Sequence, residues 1–287
     1  KSGLQDFSIS RLKTKMPWGV PVPGDSDHIM YVWFDALINY ISCLSWPEDE
    51  KKFEEFWGTD KKPNAIQVAG KDNLRQQTAM WQAMLLSAKL PTSKQVFIHG
   101  FINLEGQKVS KSSGITLPSP IELVDKYGID ATRYYLLREI PSYEDGDFSI
   151  QRFEERYNAD LANGLGNLVA RVLTLATKNN IKIEKAEKEF IKLIGDARGN
   201  CAKAIEEFEF NQALEIIWKL ISFCNGYIDR EKPWNNSEPK SIIINLLYCI
   251  SEIADLIAPF LPETGEKIKN QLKTGKSEIL FPRLAPQ

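Results

Sequence analysis

Beyond residue 150 the apolar residues of this chain recur only at helical spacing. Leu161, Leu165, Leu168, Val172 and Leu175 form one stripe. Ala213, Ile216, Ile217, Leu220, Phe223 and Tyr227 form a second, and Ile243, Leu246, Leu247, Ile250, Ile253, Ala254 and Ile257 a third, stopped by Pro259 and Pro262. Such spacing gathers apolar side chains on one face of a helix, whereas a strand would scatter them over both sides. Helices that each bury one face and are joined by short connections pack as a bundle.

The earlier part folds by another rule. Ile29-Met-Tyr-Val-Trp-Phe34, Ala65-Ile-Gln-Val-Ala69 and Gln95-Val-Phe-Ile-His99 are short runs rich in β-branched and aromatic residues, and each reads as a buried strand. Residues 78–88 between the last two form helices readily. Strand, helix, strand over this span predicts a βαβ unit with parallel strands. Residues 120–128 and 130–138 read as two short helices, the first stopped by Gly128, and 141–147 as a polar loop. The fold class is therefore α/β followed by all-α.

Composition narrows the function. The 287 residues carry 36 Lys and Arg against 38 Asp and Glu, a net charge of −2. The part after residue 148 has as many acidic as basic residues. No bulk positive field draws phosphates, so nucleic-acid binding has to rest on placed groups. Apolar residues at 43% and charged residues at 26% exclude a disordered chain. Cys43, Cys201, Cys224 and Cys249 form no C-x-x-C pair, and His28 and His99 are the only histidines. No zinc site is expected, and scattered thiols suit a reducing compartment, the cytoplasm.

Five segments could carry chemistry. Gly106-Gln-Lys-Val-Ser-Lys-Ser-Ser-Gly114 sets two lysines among serines and glycines, which suits stabilising phosphate charge; it lacks the Walker P-loop spacing. Gly70-Lys71-Asp72 follows a strand, at the end where open α/β sheets hold ligands. Trp33, Ala36 and Tyr40 share a face if their segment is helical, and could wall an apolar pocket. Asn163, Asn167 and Arg171 make a polar stripe beside the first helical face. Lys232-Pro233-Trp234 offers an aromatic platform at a helix end. Taken singly, a polar hairpin, a helix cap, core packing, a solvated face and a folded-back Trp explain each of them.

Together, in this order, they resemble the methionyl-tRNA synthetases, class I aminoacyl-tRNA synthetases, from Asp6 to about Pro262. Met16-Pro-Trp-Gly-Val-Pro-Val-Pro-Gly24 followed by Tyr-Val-Trp-Phe-Asp-Ala is specific to that family. Lys108-Val-Ser-Lys-Ser112 is similar to its Lys-Met-Ser-Lys-Ser loop, with His99-Gly100 just ahead and Lys126-Tyr-Gly-Ile-Asp-Ala-Thr-Arg-Tyr-Tyr-Leu-Leu137 after it.

The resemblance implies roles. Lys108 and Lys111, supported by Ser110 and Ser112, would stabilise the ATP phosphates. Gly70, Asp72, His99 and Gly100 would line the ATP site. Trp33, Ala36, Tyr40, Asn73 and Gln77 would enclose methionine, with Asp35 nearby. Asn167, Arg171, Pro233 and Trp234 would contact the anticodon, with Asn163 a weaker candidate. It implies 1–115 as the carboxyl half of the Rossmann-like catalytic domain, 116–148 as a connecting segment and 149–287 as a helical anticodon-binding domain. Methionine, ATP with Mg2+ and methionine tRNA would be the partners.

Departures from the family pattern sharpen this. Val109 stands for the usual Met and Ile115 for a common Asn. Gln76 and Gln77 stand where many members carry an aromatic–His pair. The His-x-Gly-His signature is absent, which implies that this chain is the carboxyl part of the enzyme and that alone it lacks amino-acid-dependent ATP–pyrophosphate exchange. The alternative is a non-catalytic tRNA-binding module that keeps only the anticodon function.

Overall fold

A computed structural model describes residues 3, 6, 8–104, 107, 108 and 118–285, with backbone alone at 107 and 108. The chain divides into two compact units, Lys1–His99 and Gly100–Gln287.

In the first unit β1 (Ser10–Leu12), β2 (Pro21–Val22) and β3 (Asp25–Met30) form an antiparallel sheet in the order β1-β3-β2. The expected strand over 29–34 ends early. Ser10 is the partner of Met30, so the ladder with β1 runs out there, and Tyr31 makes one last bond to the Ile9 carbonyl at 2.8 Å. The chain then turns into α1 (Val32–Ala36) and α2 (Asn39–Ser42). A short apolar run carries no period of its own, so pairing decides between strand and helix. α3 (Glu50–Phe56) starts at Asp49, whose side chain accepts the Lys52 N–H at 3.0 Å. A two-residue hairpin, β4 (Gly58–Thr59) and β5 (Lys62–Pro63), leads to the βαβ unit.

That unit forms as the sequence predicts. β6 (Ile66–Gly70) and β7 (Gln95–His99) run parallel, from Ile66 opposite Gln95 to Gly70 opposite His99. The connecting helix opens earlier than expected, with wide i→i+5 turns over Gln76–Met80, and continues as α4 (Trp81–Ser87). Leu37, Ile41, Phe53, Trp57, Met80, Trp81 and Leu85 form the buried core of the unit. Ile66 and Val68 of β6 remain 47% and 62% exposed, so one face of the strand pair is bare.

In the second unit β8 (Ile102–Leu104) pairs with β9 (Gln107–Lys108) antiparallel. α5 (Pro120–Tyr127) begins in a reciprocal cap: Ser119 accepts the Glu122 N–H and Glu122 accepts the Ser119 N–H. Gly128, at a φ of 87°, links it to α6 (Ile129–Glu139). The expected loop over 141–147 runs into a strand, β10 (Gly146–Phe148), which pairs parallel with β8. Three residues that pair with a segment more than forty positions away leave no local signal.

The rest is helical, as the stripes predict: α7 (Ile150–Arg156), a wide-turned stretch over Tyr157–Gly166, α8 (Asn167–Lys178), α9 (Lys188–Glu206), α10 (Phe210–Glu231), α11 (Lys240–Ile257) and α12 (Pro262–Thr274). Leu161, Leu165, Leu168, Val172, Ile217, Ile243 and Ile253 lie in one buried core that also takes in Tyr134 and Phe153. Asp130 of α6 ties this core to α12. Its carboxylate accepts the Thr264 backbone N–H at 2.6 Å and hydroxyl at 2.7 Å, satisfying a helix N-terminus. Arg133 donates to the carbonyls of Phe260 and Pro259 in the turn before α12.

Candidate functional site

The strand ends come first. Gly70 and His99 face each other across the last rung of β6 and β7, at the carboxyl ends of parallel strands. A Cβ at Gly70 would meet the Asp72 carboxylate at 2.8 Å, a contact that this exposed side chain can relieve by turning away. Asp72 is exposed, with Asn73 Nδ2 at 3.5 Å. His99 packs its ring edge-on to Phe97 at 6.4 Å. Gly100 opens the second unit, where a Cβ would overlap the Glu144 carbonyl. The next N–H, of Phe101, donates to Asp145 at 2.9 Å.

Trp33, on α1, and Tyr40, on α2, both pack half-buried against the core of the first unit, while Ala36 is exposed. Gln77 is 2% exposed and donates its amide to the Tyr40 hydroxyl at 2.9 Å. The segments 32–42 and 76–80 are thus joined by a polar bond beside apolar walls, the mix that ligand pockets use. Asn73 is half-buried one turn before Gln77.

Trp81 was not singled out in the sequence. Its ring lies 6.0 Å from that of Tyr40, its side chain is 1% exposed and its indole N–H has no protein acceptor. The signal available in the sequence was its place one turn after Gln77 on the same helix. Trp81 also lines a cavity of about 610 Å3 with Phe34, Ile38, Met80 and Met84; Trp33, Ala36 and Tyr40 do not line it.

The lysine–serine loop is largely out of view. Lys108 lies in β9, opposite Asn103. Ser110, Lys111 and Ser112 lie outside the described residues.

A separate constellation sits on the helical unit. Asn167 opens α8 and is exposed; Asn163, in the wide-turned stretch before it, is exposed as well. One turn on, the Arg171 guanidinium lies 5.9 Å from the Trp234 ring. Together with Ala170, Thr174 and Leu175 these two line a hollow of about 330 Å3. α10 ends at Lys232 in the left-handed region, at a φ of 46°. Pro233 then cannot continue the helix. Pro233 is buried, whereas Trp234 is 50% exposed. The proline sets the direction of the chain and the tryptophan offers the surface. Asp229, unremarked in the sequence, holds Arg171 at 2.5 Å. Its one hint was an acid a turn ahead of the Lys-Pro-Trp end.

Among the described residues no group of three or more His, Cys, Asp or Glu side chains could hold a metal, and no helix is long and apolar enough to cross a membrane.

Known proteins match this architecture. Residues 1–173 match the family described as tRNA synthetases class I (M), and residues 187–286 the anticodon-binding domain of tRNA ligase. The methionine–tRNA ligase of Fusobacterium nucleatum is 40% identical over 96% of this chain and 45% of its own length. That of Rickettsia felis is 37% identical over 99% of this chain and 57% of its own. The structure of Mycobacterium tuberculosis methionyl-tRNA synthetase in complex with methionyl-adenylate superposes with a TM-score of 0.81 at 33% identity, covering 99% of this chain and 60% of that one. The chain spans about half the length of the curated relatives it matches. On these matches, the chain belongs to the class I tRNA synthetases of the methionyl (M) type.

Proposed function

We propose that this chain is the carboxyl part of a methionine–tRNA ligase, which activates methionine with ATP and passes it to methionine tRNA. The observation that carries the reading is the pairing of Gly70 with His99 at the carboxyl ends of two parallel strands, with the exposed Asp72 beside them. A nucleotide binds at that end of an open α/β sheet. The bare face of β6 at Ile66 and Val68 supports the same reading, because a parallel sheet of this class is covered on both faces. Further strands and helices of the catalytic domain would pack there.

In the reaction, a methionine carboxylate oxygen bonds to the α-phosphorus of ATP while the bond to pyrophosphate breaks. Negative charge grows on the phosphoryl oxygens and the leaving group, and Lys108 and Lys111 stabilise it. Mg2+ enters with the ATP phosphates as part of the substrate. A ribose hydroxyl of the tRNA then bonds to the methionyl carbonyl carbon, its proton leaves, and AMP departs. The protein supplies position and charge rather than covalent catalysis. Trp33, Ala36, Tyr40, Asn73 and Gln77 hold the side chain of methionine; Gly70, Asp72, His99 and Gly100 hold the nucleotide. Asn167, Arg171 and Trp234 read the anticodon, Pro233 setting the tryptophan, in a domain over 149–287 joined to the catalytic part (1–115) by 116–148. The enzyme works in the cytoplasm.

The test is ATP–pyrophosphate exchange with each amino acid in turn, by the protein that joins this chain to the rest of its catalytic domain. Exchange that depends on methionine is expected, and none from residues 1–287 alone. No exchange from the joined protein, with tRNA binding retained, would favour a tRNA-binding module instead.

A further inference from the structure

Two side chains of α10 hold the wide-turned stretch over Tyr157–Gly166 by its backbone. The Trp218 indole N–H can only donate, and it meets the Asp160 carbonyl at 3.3 Å. Asn225 Nδ2 donates to the Gly164 carbonyl at 3.3 Å and, within its own helix, to the Ile221 carbonyl at 3.2 Å. Both carbonyls can only accept, so this amide cannot be reversed. Trp218 is itself fixed. Its ring packs on that of Tyr134 at 4.3 Å, and the Tyr134 hydroxyl donates to the Asp160 carboxylate at 2.8 Å. Asp160 is thus gripped at backbone and side chain together. Trp218, Asn225 and Asp229 stand at i, i+7 and i+11, on one face of α10. They meet Asp160, Gly164 and Arg171 in the same order.

The stretch needs holding, because a wide turn carries one residue more than an α-turn. Winding one such turn back to α would rotate the chain that follows by about 100° around the helix axis. Asn167 and Arg171 follow directly, so their stripe would swing away from Asp229 and Trp234. Glycine suits the wide turns. A Cβ at Gly164 would stand 3.3 Å from the Ala159 carbonyl oxygen, and one at Gly166 would stand 3.1 Å from that of Leu161, in each case the oxygen at i−5. Glycine also leaves the backbone free to wind otherwise, so it admits the wide turns without enforcing them. Leu168, Val169 and Val172, each 0% exposed, keep α8 seated in the core. Loss of one bond from α10 therefore turns the stripe without unfolding the helix.

We propose that Trp218 and Asn225 are positioning residues for anticodon reading: they fix the wide turns, and with them the direction in which α8 presents Asn167 and Arg171. This rests on the ligase reading above. Both act through α8, and Trp218, 8% exposed, offers the RNA no face of its own.

The experiment compares the joined protein with Trp218→Phe, which keeps a ring against Tyr134 and removes the N–H, and with Asn225→Leu, which keeps the shape and removes the donor. Aminoacylation is measured over a range of concentrations of methionine tRNA, with the CAU anticodon and with one anticodon base replaced. Each variant is expected to raise KM for the CAU tRNA about threefold to tenfold, and to narrow the preference over the altered tRNA by the same factor. Methionine-dependent pyrophosphate exchange and kcat should stay within about twofold of wild type. In an Arg171→Ala background each change should cost less than it does alone, because a side chain it positions is gone. A lower melting temperature with KM for tRNA unchanged, or full additivity with Arg171→Ala, would overturn the proposal. Trp218→Phe alone decides should Asn225→Leu fail to fold. A wild-type protein without methionine-dependent exchange would sink the ligase reading instead. Filter binding of the same two tRNAs then decides: weaker and less selective binding by the variants supports the positioning role, and equal binding, or none by the wild type, overturns it.

Discussion

Arg171 on α8 and Asp229 on α10 meet at 2.5 Å, and the same guanidinium lies 5.9 Å from the half-exposed Trp234 ring. The pair joins two helices beside the half-exposed face of Trp234. On the proposed function, this pair would give the helical unit a recognition surface without any excess of basic residues, and anticodon reading would be separate from adenylation.

Trp234→Ala should therefore weaken tRNA binding and leave exchange intact. Loss of one base–aromatic stack is worth about 1–3 kcal/mol, so KM for tRNA should rise roughly fivefold to a hundredfold. Aminoacylation measured over a range of tRNA concentrations checks it. A comparable fall in pyrophosphate exchange would contradict the separation.

Lys111→Ala should do the opposite. Removing a group that stabilises phosphoryl charge costs about a hundredfold to a thousandfold in rate. Single-turnover formation of the adenylate should show that loss, while filter binding of tRNA stays within about twofold of wild type.

Asp130→Ala should destabilise the helical unit. It removes both acceptor bonds to Thr264 at a site only 5% exposed. Stranding a buried donor costs about 1–3 kcal/mol, so the melting temperature should drop by several degrees. Asp130→Asn, which keeps an acceptor, should recover part of it. Thermal denaturation followed by circular dichroism reads both.

Acid sensitivity should trace in part to Glu154. The Tyr127 hydroxyl, at 2.5 Å, and then the Lys126 ammonium hold its carboxyl below the usual glutamate range. A carboxyl whose folded pKa is depressed adds stability above its unfolded value, near about 4.3, and that contribution fades as pH falls through the folded value. Wild type should lose stability more steeply than Glu154→Gln below about pH 4.5 in urea titrations at stepped pH. Parallel curves would remove Glu154 from the account.

How far the sequence reveals this molecule depends on whether a feature is local. The strands β6 and β7, the helix between them and the helical stripes come from residues next to one another, and their periods are legible. Residues 32–36 become helical where the ladder between β3 and β1 ends, at Met30 opposite Ser10, and β10 is defined by its pairing with β8; both are decisions of tertiary pairing. The placement of Tyr40 beside Gln77 follows the resemblance. Trp218 and Asn225 belong to no motif and meet the wide-turned stretch only because α10 packs along it. Asp229 and Trp81 gain their meaning from neighbours in space, and Pro233 was legible as a motif although its burial was not.

The central claim is tested most directly by charging. The joined protein is given methionine, ATP and methionine tRNA, either with its CAU anticodon or with one anticodon base replaced. Methionyl-tRNA should form with the intact anticodon and fall by orders of magnitude with the altered one. Charging with a different amino acid, or equal charging of both tRNAs, would contradict the account.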